Sequence, residues 1–350
     1  MSLNTNNLIV TMAAELLAEE EAELDAELTA KWHIFNKRVE KTEEAFKPKL
    51  VEAFEKQKKA VLSAMRGKPV PDTREAGAKV IAQIGDEVQH SEGIGVITDI
   101  FPATNFIHRT TILEVACERV SLLTSTKQEF TKTIHLCDAV LLKASEEAEA
   151  AAESYVNSIF KLAVWIPAFE KVGRPFITLA YEEGGQAAFT EIGIEAAFNV
   201  TNPRAKRILK ERVFKFSDEV NQTTQRKLRK TLAEGFDKGE SITQISQRVA
   251  DVFKIAKGSR TDMIAQTEIL GASNQATHEG YIESEIVITK VWIDSRDAKV
   301  RDTHRIDGQE RKMKERFSNG LLHPHDPGGQ AEEVINCRCA LASGKLKEAA

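Results

Sequence analysis

The sequence has few of the features that mark secreted, disulfide-stabilised or membrane proteins. Its 350 residues include four unevenly placed cysteines, and aromatic residues make up 6% of the chain. A secreted disulfide framework needs a denser set of cysteines. No apolar run approaches the roughly 20 residues that span a bilayer, and the amino-terminal residues lack the basic segment of a secretory signal. We therefore expect a protein that is made and used in a cytoplasm, with no membrane partner.

The overall composition is that of an ordinary globular protein. Apolar residues make up 42% of the chain and charged residues 29%, which argues against a disordered polypeptide. The length allows two or three domains, each with its own core. Because Ala and Glu are abundant while aromatics are few, we predict a mainly α fold with a long amino-terminal helical arm, a helical middle and a small α+β carboxy-terminal module.

Helical periodicity is clearest in residues 8–66. Apolar residues recur there at spacings of three, four and seven, at Trp32, Phe35, Val39, Phe46, Leu50, Phe54, Val61 and Met65. Gly67 and Pro69 then provide a stop signal. We predict a helical arm over residues 1–69, whose apolar stripe packs onto the rest of this chain or onto another subunit.

The next part of the chain is ambiguous. Residues 70–165 form a mixed or helical region of unknown role, in which 93–101 is a candidate strand and 110–123 is either a helix or a buried strand. An Ala/Glu-rich helix over 144–163 is expected to end at Trp165–Pro167. Gly184–Gly185 indicates a turn before a short helix, and a further helix is predicted from Arg260 to Tyr281.

Positive charge is concentrated in one segment of an acidic protein. The net charge is -5, but residues 201–250 hold twelve Lys or Arg against six Asp or Glu. Such a segment can bind nucleic acid weakly through phosphate contacts, and a solvated helix face is the alternative interpretation. The candidate DNA-binding residues are Arg226, Lys227, Arg229 and Lys230, with Arg204, Lys206 and Arg207 upstream.

Chemically rich side chains gather near the carboxyl end. Two strand-like segments, 286–292 and 334–341, enclose a polar stretch in which Asp307-Gly308 is a turn signal. If these segments pair, they bring together His304, His323, His325, Cys337 and Cys339. Alternate residues of a strand share a face, so Cys337 and Cys339 should point the same way, as should His323 and His325 if Pro324 keeps them extended.

The motifs in this part of the chain resemble a known family. Their residues and order are similar to those of the phage Mu F-like minor head proteins, also called head morphogenesis proteins: Arg260, Glu268, Asn274, Trp292, Asp297, Arg301, His304, Asp307, Gly308, Asn336, Cys337, Arg338 and Cys339. The resemblance covers about half of the chain, and we assign it a module over residues 166–345. Many family members carry a His three residues before the first Cys, where this chain has Val334.

The resemblance implies a low-copy structural component of the virion. Such a protein joins the procapsid near the portal, with portal, capsid and scaffold proteins as partners and non-specific DNA as a further one. It would be found in the host cytoplasm during assembly and in the head afterwards. The alternative function is a metal-dependent nuclease or a DNA-binding ejection protein that acts on packaged DNA.

Three kinds of chemistry fit the motif residues. The favoured hypothesis is a hydrogen-bonded polar core without a cofactor, in which Arg301 pairs with Asp297 or Glu268 and no catalysis occurs. The second is a zinc site built from four of His304, His323, His325, Cys337 and Cys339. The third is an enzyme that uses His304 with Asp297 and Asp307, or His304 with a cysteine nucleophile.

Overall fold

A computed structural model describes most of the chain. It covers residues 3–73, 87–90, 93–102, 111–120, 127–135, 140–141 and 146–347, with side chains described within 15–73 and 146–347. The described residues form seven α-helices and two antiparallel sheets, which confirms the mainly α prediction. The helices are α1 (Leu3–Met65), α2 (Glu146–Ile159), α3 (Leu162–Glu191), α4 (Pro203–Asp237), α5 (Ile242–Ala256), α6 (Ser259–Ser284) and α7 (Ala331–Val334). Within the described ranges, no helix is both long and apolar enough to cross a membrane.

The ambiguous region after the first helix contains a five-stranded sheet. Its strands are β1 (Glu87–His90), β2 (Gly93–Pro102), β3 (Thr111–Val120), β4 (Lys127–His135) and β5 (Val140–Leu141), in the order β4-β3-β2-β1-β5. The predicted strand at 93–101 is thus confirmed as β2. The open choice at 110–123 resolves to the strand β3, which pairs with β2 and β4.

The small carboxy-terminal sheet has three antiparallel strands. They are β6 (Thr289–Ile293), β7 (Glu310–Lys312) and β8 (Ala340–Ser343), with β6 in the centre. Trp292 lies opposite Leu341 in the β6–β8 pair, so the expected pairing of the two strand-like segments is confirmed. The second segment begins differently, because Val334 ends the short helix α7 rather than starting a strand.

Contacts divide the chain into two units that do not follow chain order. Unit 1 comprises Met1–Gln57, Leu162–Gln222 and Phe253–Ala350, and unit 2 comprises Lys58–Lys161 and Thr223–Val252. The three-part division into 1–69, 70–165 and 166–345 stays a prediction.

The apolar stripe of α1 packs inside unit 1. The Phe46 ring stacks on Phe176 at 5.0 Å, and the Phe54 ring lies 5.2 Å from Phe169 on α3. Burying rings of this size is among the largest apolar contributions to a core. From Leu28 to Phe54 the helix is therefore part of the core. The helix is continuous through Pro48.

Two boundaries predicted from the sequence, a helix end at Trp165–Pro167 and a turn at Gly184-Gly185, are wrong because α3 is continuous there. Pro167 and the Gly184-Gly185 pair all lie inside it rather than in turns. A methyl group at Gly184 would lie 2.4 Å from the carbonyl oxygen of Ser273 on α6, and one at Gly185 would lie 2.2 Å from the Phe198 ring. Glycine is needed at Gly184 because α3 and α6 approach closely and at Gly185 because the Phe198 ring packs there, so the dipeptide does not mark a turn.

Candidate functional site

The centre of the candidate site is the fully buried ring of Trp292 on β6. Its edge-to-face neighbours are His304, at 5.1 Å between ring centroids, and Phe317, at 5.2 Å. Aromatic pairs in this arrangement gain about 0.5–1.5 kcal/mol beyond the area they bury. The tryptophan therefore fixes the position of the His304 ring against the sheet.

The loop after β6 is held by the predicted turn. The Asp307 carboxylate accepts a hydrogen bond from the backbone N–H of Asp294 at 2.9 Å and another from the Arg296 guanidinium. Gly308 follows with φ of +73°, a conformation that favours glycine. Arg296 also reaches Asp25 on α1, at 2.5 Å. The Asp307-Gly308 turn thus connects the loop to the first helix.

Arg301 and Asp297 do not form the expected pair in the described structure. The Arg301 guanidinium donates to the carbonyl oxygen of Ile335, while the exposed Asp297 carboxylate accepts from the backbone N–H of Lys299 at 2.8 Å. The reason is local: Asp297 caps its own turn, and Arg301 faces the approach to the cysteines. Arg301 thus joins the loop to the end of α7 through a backbone carbonyl rather than a carboxylate.

A short 3₁₀ helix, Asp302–His304, turns the His304 ring towards the two cysteines. The distances from its Nδ1 are 3.5 Å to Sγ of Cys337 and 3.6 Å to Sγ of Cys339. On the other side of the ring, Nε2 lies 2.8 Å from a carboxylate oxygen of Glu333. The three side chains of His304, Cys337 and Cys339 are buried, and their ligand atoms lie within 4.8 Å of one another.

Burial and mutual contact shift the pKa values of this cluster in different directions. Burial lowers the pKa of His304, but hydrogen bonds and charge at Cys337 and Glu333 outweigh it, so the net pKa is raised. Burial raises the pKa of Cys337, yet contacts with Cys339, His325 and His304 bring it well below its ordinary value. The contact with Cys337, together with burial, raises the pKa of Cys339 well above its ordinary value.

Helix α6 fixes the backbone of the cysteine motif, residues 336–339. The Asn274 amide donates to the carbonyl oxygen of Cys339 and accepts from the N–H of Leu341, both at 3.0 Å. Gln266 donates to the carbonyl oxygen of Cys337 at 3.3 Å. Asn336 enters the motif with φ of +60°, a left-handed conformation that asparagine tolerates better than most residues.

Arg338 points away from the sulfur atoms and joins the motif to α1. Its guanidinium donates to Gln266 at 2.9 Å and to Asn36 at 2.8 Å, and its carbonyl oxygen accepts from the Trp32 indole N–H at 3.1 Å. The alternation expected of an extended C-x-C segment therefore holds. One face carries the sulfur atoms, and the other binds the first helix.

The other two candidate histidine ligands, His323 and His325, are not among the three residues whose ligand atoms come together. His325 has φ of +60°, so Pro324 does not keep the two histidines extended and they do not share a face. The His323 ring lies 5.2 Å from that of His278, whereas Nδ1 of His325 lies 3.4 Å from the Asn274 amide nitrogen. Burial lowers the pKa of His323 and of His325 to about 4.

The earlier family residues Arg260 and Glu268 stabilise the helices rather than the cluster. Buried Arg260 donates to the carbonyl oxygen of Val220 at 2.8 Å and lies 5.4 Å from the centre of the Phe54 ring. Burial raises the pKa of Glu268, whose carboxylate lies 3.7 Å from Arg212. These two residues position α6 against α1 and α4.

The predicted DNA-binding residues lie on α4, within unit 2. Arg229 is half-buried and pairs with Glu153 at 3.1 Å and with Asn157 at 2.9 Å. Arg226, Lys227 and Lys230 are exposed. The basic surface is thus smaller than the sequence indicates, because Arg229 is paired with Glu153.

Several residues of the site escape sequence reasoning. Glu333 has no motif signal, since it becomes a partner of His304 only when α7 turns back beside the loop. Trp32 and Asn36 reach the cysteine motif from about 300 positions away in the chain. Only the capping role of Asp294, which accepts from the N–H of Arg296 at 2.7 Å, is a local contact that turn chemistry could have indicated.

These features define a helical protein with a small antiparallel sheet, whose last strand is secured by a buried His-Cys-Cys cluster. Residues 226–342 match the family described as Phage Mu protein F like protein. The match confirms that this part of the chain resembles the Mu F-like family. The match begins within α4 and ends in β8.

Two curated proteins are similar to this chain. One is the uncharacterised protein YqbB of Bacillus subtilis (strain 168), 27% identical over 209 residues, which are 57% of this chain and 68% of YqbB. The other is the NAD(+)--arginine ADP-ribosyltransferase EFV of Enterococcus faecalis (strain ATCC 700802 / V583), 31% identical over 146 residues. That match covers 40% of this chain and 29% of EFV, so the chain spans under a third of that relative. No solved structure matches the chain.

Proposed function

We propose that this chain is a minor head protein of a phage or prophage, a low-copy structural component that joins the procapsid beside the portal. The observation that carries the proposal is the Mu F-like match at residues 226–342. The chemistry of the described site is in keeping with a structural role, since Asn274 and Arg338 join the cysteine motif to α6 and α1. The transferase activity in the name of EFV belongs to that protein and is not proposed here.

The exposed arm segment, residues 15–27 of α1, provides a surface for a partner. All of its side chains are exposed, and seven of them are carboxylates with no Lys or Arg between them. Leu16, Leu17 and Leu24 are 59%, 60% and 52% exposed. An apolar and acidic helix end fits a basic, apolar-lined groove on the portal or capsid protein. Leu16, Leu17 and Leu24 precede the part of α1 that packs into unit 1, so a partner can bind them without disturbing the core.

The test is to replace Leu16, Leu17 and Leu24 together by Gln in the phage that encodes the chain. Burying a leucine contributes about 1.5–3 kcal/mol, so losing these contacts should reduce incorporation into heads by about tenfold or more. The copies per purified head are counted by quantitative mass spectrometry. The matched control replaces Val164, Phe214 and Ile255, which are similarly exposed, by Gln.

The melting temperature of the purified protein should be the same for both triple variants. If the arm variant enters heads as well as the wild type does, this segment is not the partner-binding surface. If the control variant is also lost from heads, removing any three exposed apolar side chains reduces incorporation, and the effect is not specific to residues 15–27.

A weaker second function is non-specific DNA binding by the exposed part of the basic segment. It is supported by the exposure of Arg226, Lys227 and Lys230 on one side of α4. Replacing these three by Gln should weaken a low-salt gel shift, and the dependence of affinity on salt should become shallower. The same charge change at Lys49, Lys56 and Lys59 is the control. An unchanged gel shift would leave the segment as a solvated helix face.

A further inference from the structure

The buried cluster of His304, Cys337 and Cys339 has the dimensions of a metal site. In tetrahedral zinc centres the Zn–N distance is about 2.0–2.1 Å and the Zn–S distance about 2.3 Å, which sets the imidazole nitrogen and a thiolate sulfur roughly 3.5 Å apart. The observed separations between Nδ1 and the two sulfur atoms are 3.5 and 3.6 Å. Both nitrogen–sulfur separations therefore match those of a tetrahedral zinc centre.

The second ring nitrogen of His304 is already partnered as in zinc proteins. Its Nε2 lies 2.8 Å from a carboxylate oxygen of Glu333. A metal-binding histidine usually donates its other N–H to a carboxylate or carbonyl, which fixes the tautomer and strengthens the ligand. With Nε2 protonated and facing Glu333, the lone pair of Nδ1 is directed at the sulfur atoms.

The cysteine side of the site is equally well supported. The backbone N–H of Cys339 points at the Cys337 sulfur at 3.3 Å, a contact that stabilises a thiolate. The carbonyl groups on either side of Arg338 are fixed by Gln266 and Asn274 at 3.3 and 3.0 Å. The two sulfur atoms are therefore held on one face before any ion binds.

The cluster also has an entry path. A cavity of about 470 Å³ reaches the three ligand residues, and Ser295, Lys299 and Arg301 contribute to its wall. Nδ1 of His325 faces the Asn274 amide, so we assign three protein ligands and leave the fourth position to a water molecule from the cavity.

We propose that His304, Cys337 and Cys339 bind one zinc ion through Nδ1 and two thiolate sulfurs, with a water molecule as the fourth ligand. Binding releases the thiol protons to solvent, and the ion's two positive charges are balanced by two thiolates, so the buried centre is electrically neutral. The ion joins the loop after β6 to the last strand. Zinc binding would therefore add to the hydrogen bonds by which Asn274 and Gln266 hold the cysteine motif in place.

The test uses the full-length protein expressed with zinc and purified with a non-chelating reductant. We expect one zinc per chain by elemental analysis. Replacement of zinc by cobalt(II) should give the thiolate-to-cobalt charge-transfer absorption of a tetrahedral site. This measurement needs no variant, so it stays informative even if substitutions in the cluster prevent folding.

Matched variants separate this site from adventitious binding. Zinc should be lost from His304→Gln and from the Cys337→Ser, Cys339→Ser double variant. It should be kept by Cys117→Ser with Cys137→Ser, which removes the same number of thiols elsewhere. Glu333→Gln should keep the site but weaken zinc binding by roughly 10–100-fold, because it changes only the partner of the ligand.

Three results would overturn the proposal. The first is wild-type protein with zinc no higher than a buffer blank and no cobalt charge-transfer band. The second is full zinc content in the Cys337→Ser, Cys339→Ser variant. The third is an intact mass two hydrogens lower than expected with a Cys337–Cys339 disulfide, because two oxidised sulfurs cannot act as thiolate ligands.

Discussion

At the scale of single residues, the Asn274 amide is the most consequential contact between α6 and the last strand. It satisfies the carbonyl oxygen of Cys339 and the N–H of Leu341, and its own side chain is fully buried. The Asn274 amide thus makes the two hydrogen bonds that the backbone of a neighbouring strand would otherwise make. The cysteine motif is therefore held in its extended conformation by a helix.

Asn274→Ala should lower the free energy of unfolding markedly. Each buried backbone group left without a partner costs about 1–3 kcal/mol, and two are left here. Urea unfolding of the purified protein measures the change. Gln222→Ala, on an exposed helix face, should stay within about 0.5 kcal/mol of the wild type. If both variants unfold at the same urea concentration, the amide does not hold the strand.

The buried histidines make stability depend on pH. Burial lowers the pKa of His278 to about 3 and that of His323 to about 4. Lys290, Arg212 and Asp326 also face this pair. In the unfolded chain a histidine takes up its proton near pH 6.5. Below that pH the unfolded state binds more protons than the native state, so stability is lost as the pH falls from about 6.5 to about 4.

Urea unfolding across that pH window should show the loss, at about 1.4 kcal/mol per pH unit for each histidine. His278→Gln should make the slope shallower by one proton, even though its stability at pH 7 also changes. A slope equal to that of the wild type would mean that His278 is protonated in the native protein.

Residue identity allowed some of these contacts to be predicted and not others. The Asp307-Gly308 turn is local, so the dipeptide was enough to indicate it. The direction of Arg301 was predicted incorrectly, because its acceptor is a backbone carbonyl of Ile335 and carbonyls have no sequence signature. The bend at His325 escaped prediction for a similar reason, since nothing in His-Pro-His marks a positive φ.

At the scale of elements, the close crossing of α3 and α6 depends on Gly184. Adding a methyl group there would place it 2.4 Å from a backbone oxygen of Ser273, and backbone cannot move aside as a side chain can. Gly184→Ala should therefore destabilise the protein by about 1–3 kcal/mol. Thermal unfolding measures the effect.

Gly235 on α4 is the matched control for this substitution. A methyl group there would meet only side-chain atoms: Cδ1 of Ile245 at 2.5 Å, and Nε of Arg248 and Oε2 of Glu240, both at 3.0 Å. Because alanine is favoured over glycine in a helix by about 1 kcal/mol, Gly235→Ala should be nearly neutral. If Gly184→Ala is equally neutral, the helices have room to separate and the close approach is not required.

Helix and strand periodicity predicted the elements better than their boundaries. The apolar stripe of α1 and the pairing around Trp292 follow from spacing and residue type, and both are observed. The glycine pair inside α3 was misassigned because a turn and a close helix crossing need the same residue. Only the position of α6, which is set by tertiary packing, distinguishes the two.

At the scale of the whole molecule, α1 has two roles along its length. Residues 28–54 belong to the core of unit 1 and contact the cysteine motif through Trp32 and Asn36, whereas residues 15–27 are exposed. The sequence indicated an arm but not where the arm ends and the core begins. That boundary depends on contacts between residues some 300 positions apart, which periodicity does not reveal.

If this chain is a structural component of a phage head, as we propose, normal heads should not form without it. The most direct measurement is a count of heads and of this chain in particles from a phage carrying a stop codon early in its gene, with and without the wild-type chain supplied in trans. We predict few or defective heads without the chain, and normal heads containing a low, fixed number of copies when it is supplied. Normal heads and full infectivity in its absence would contradict the account.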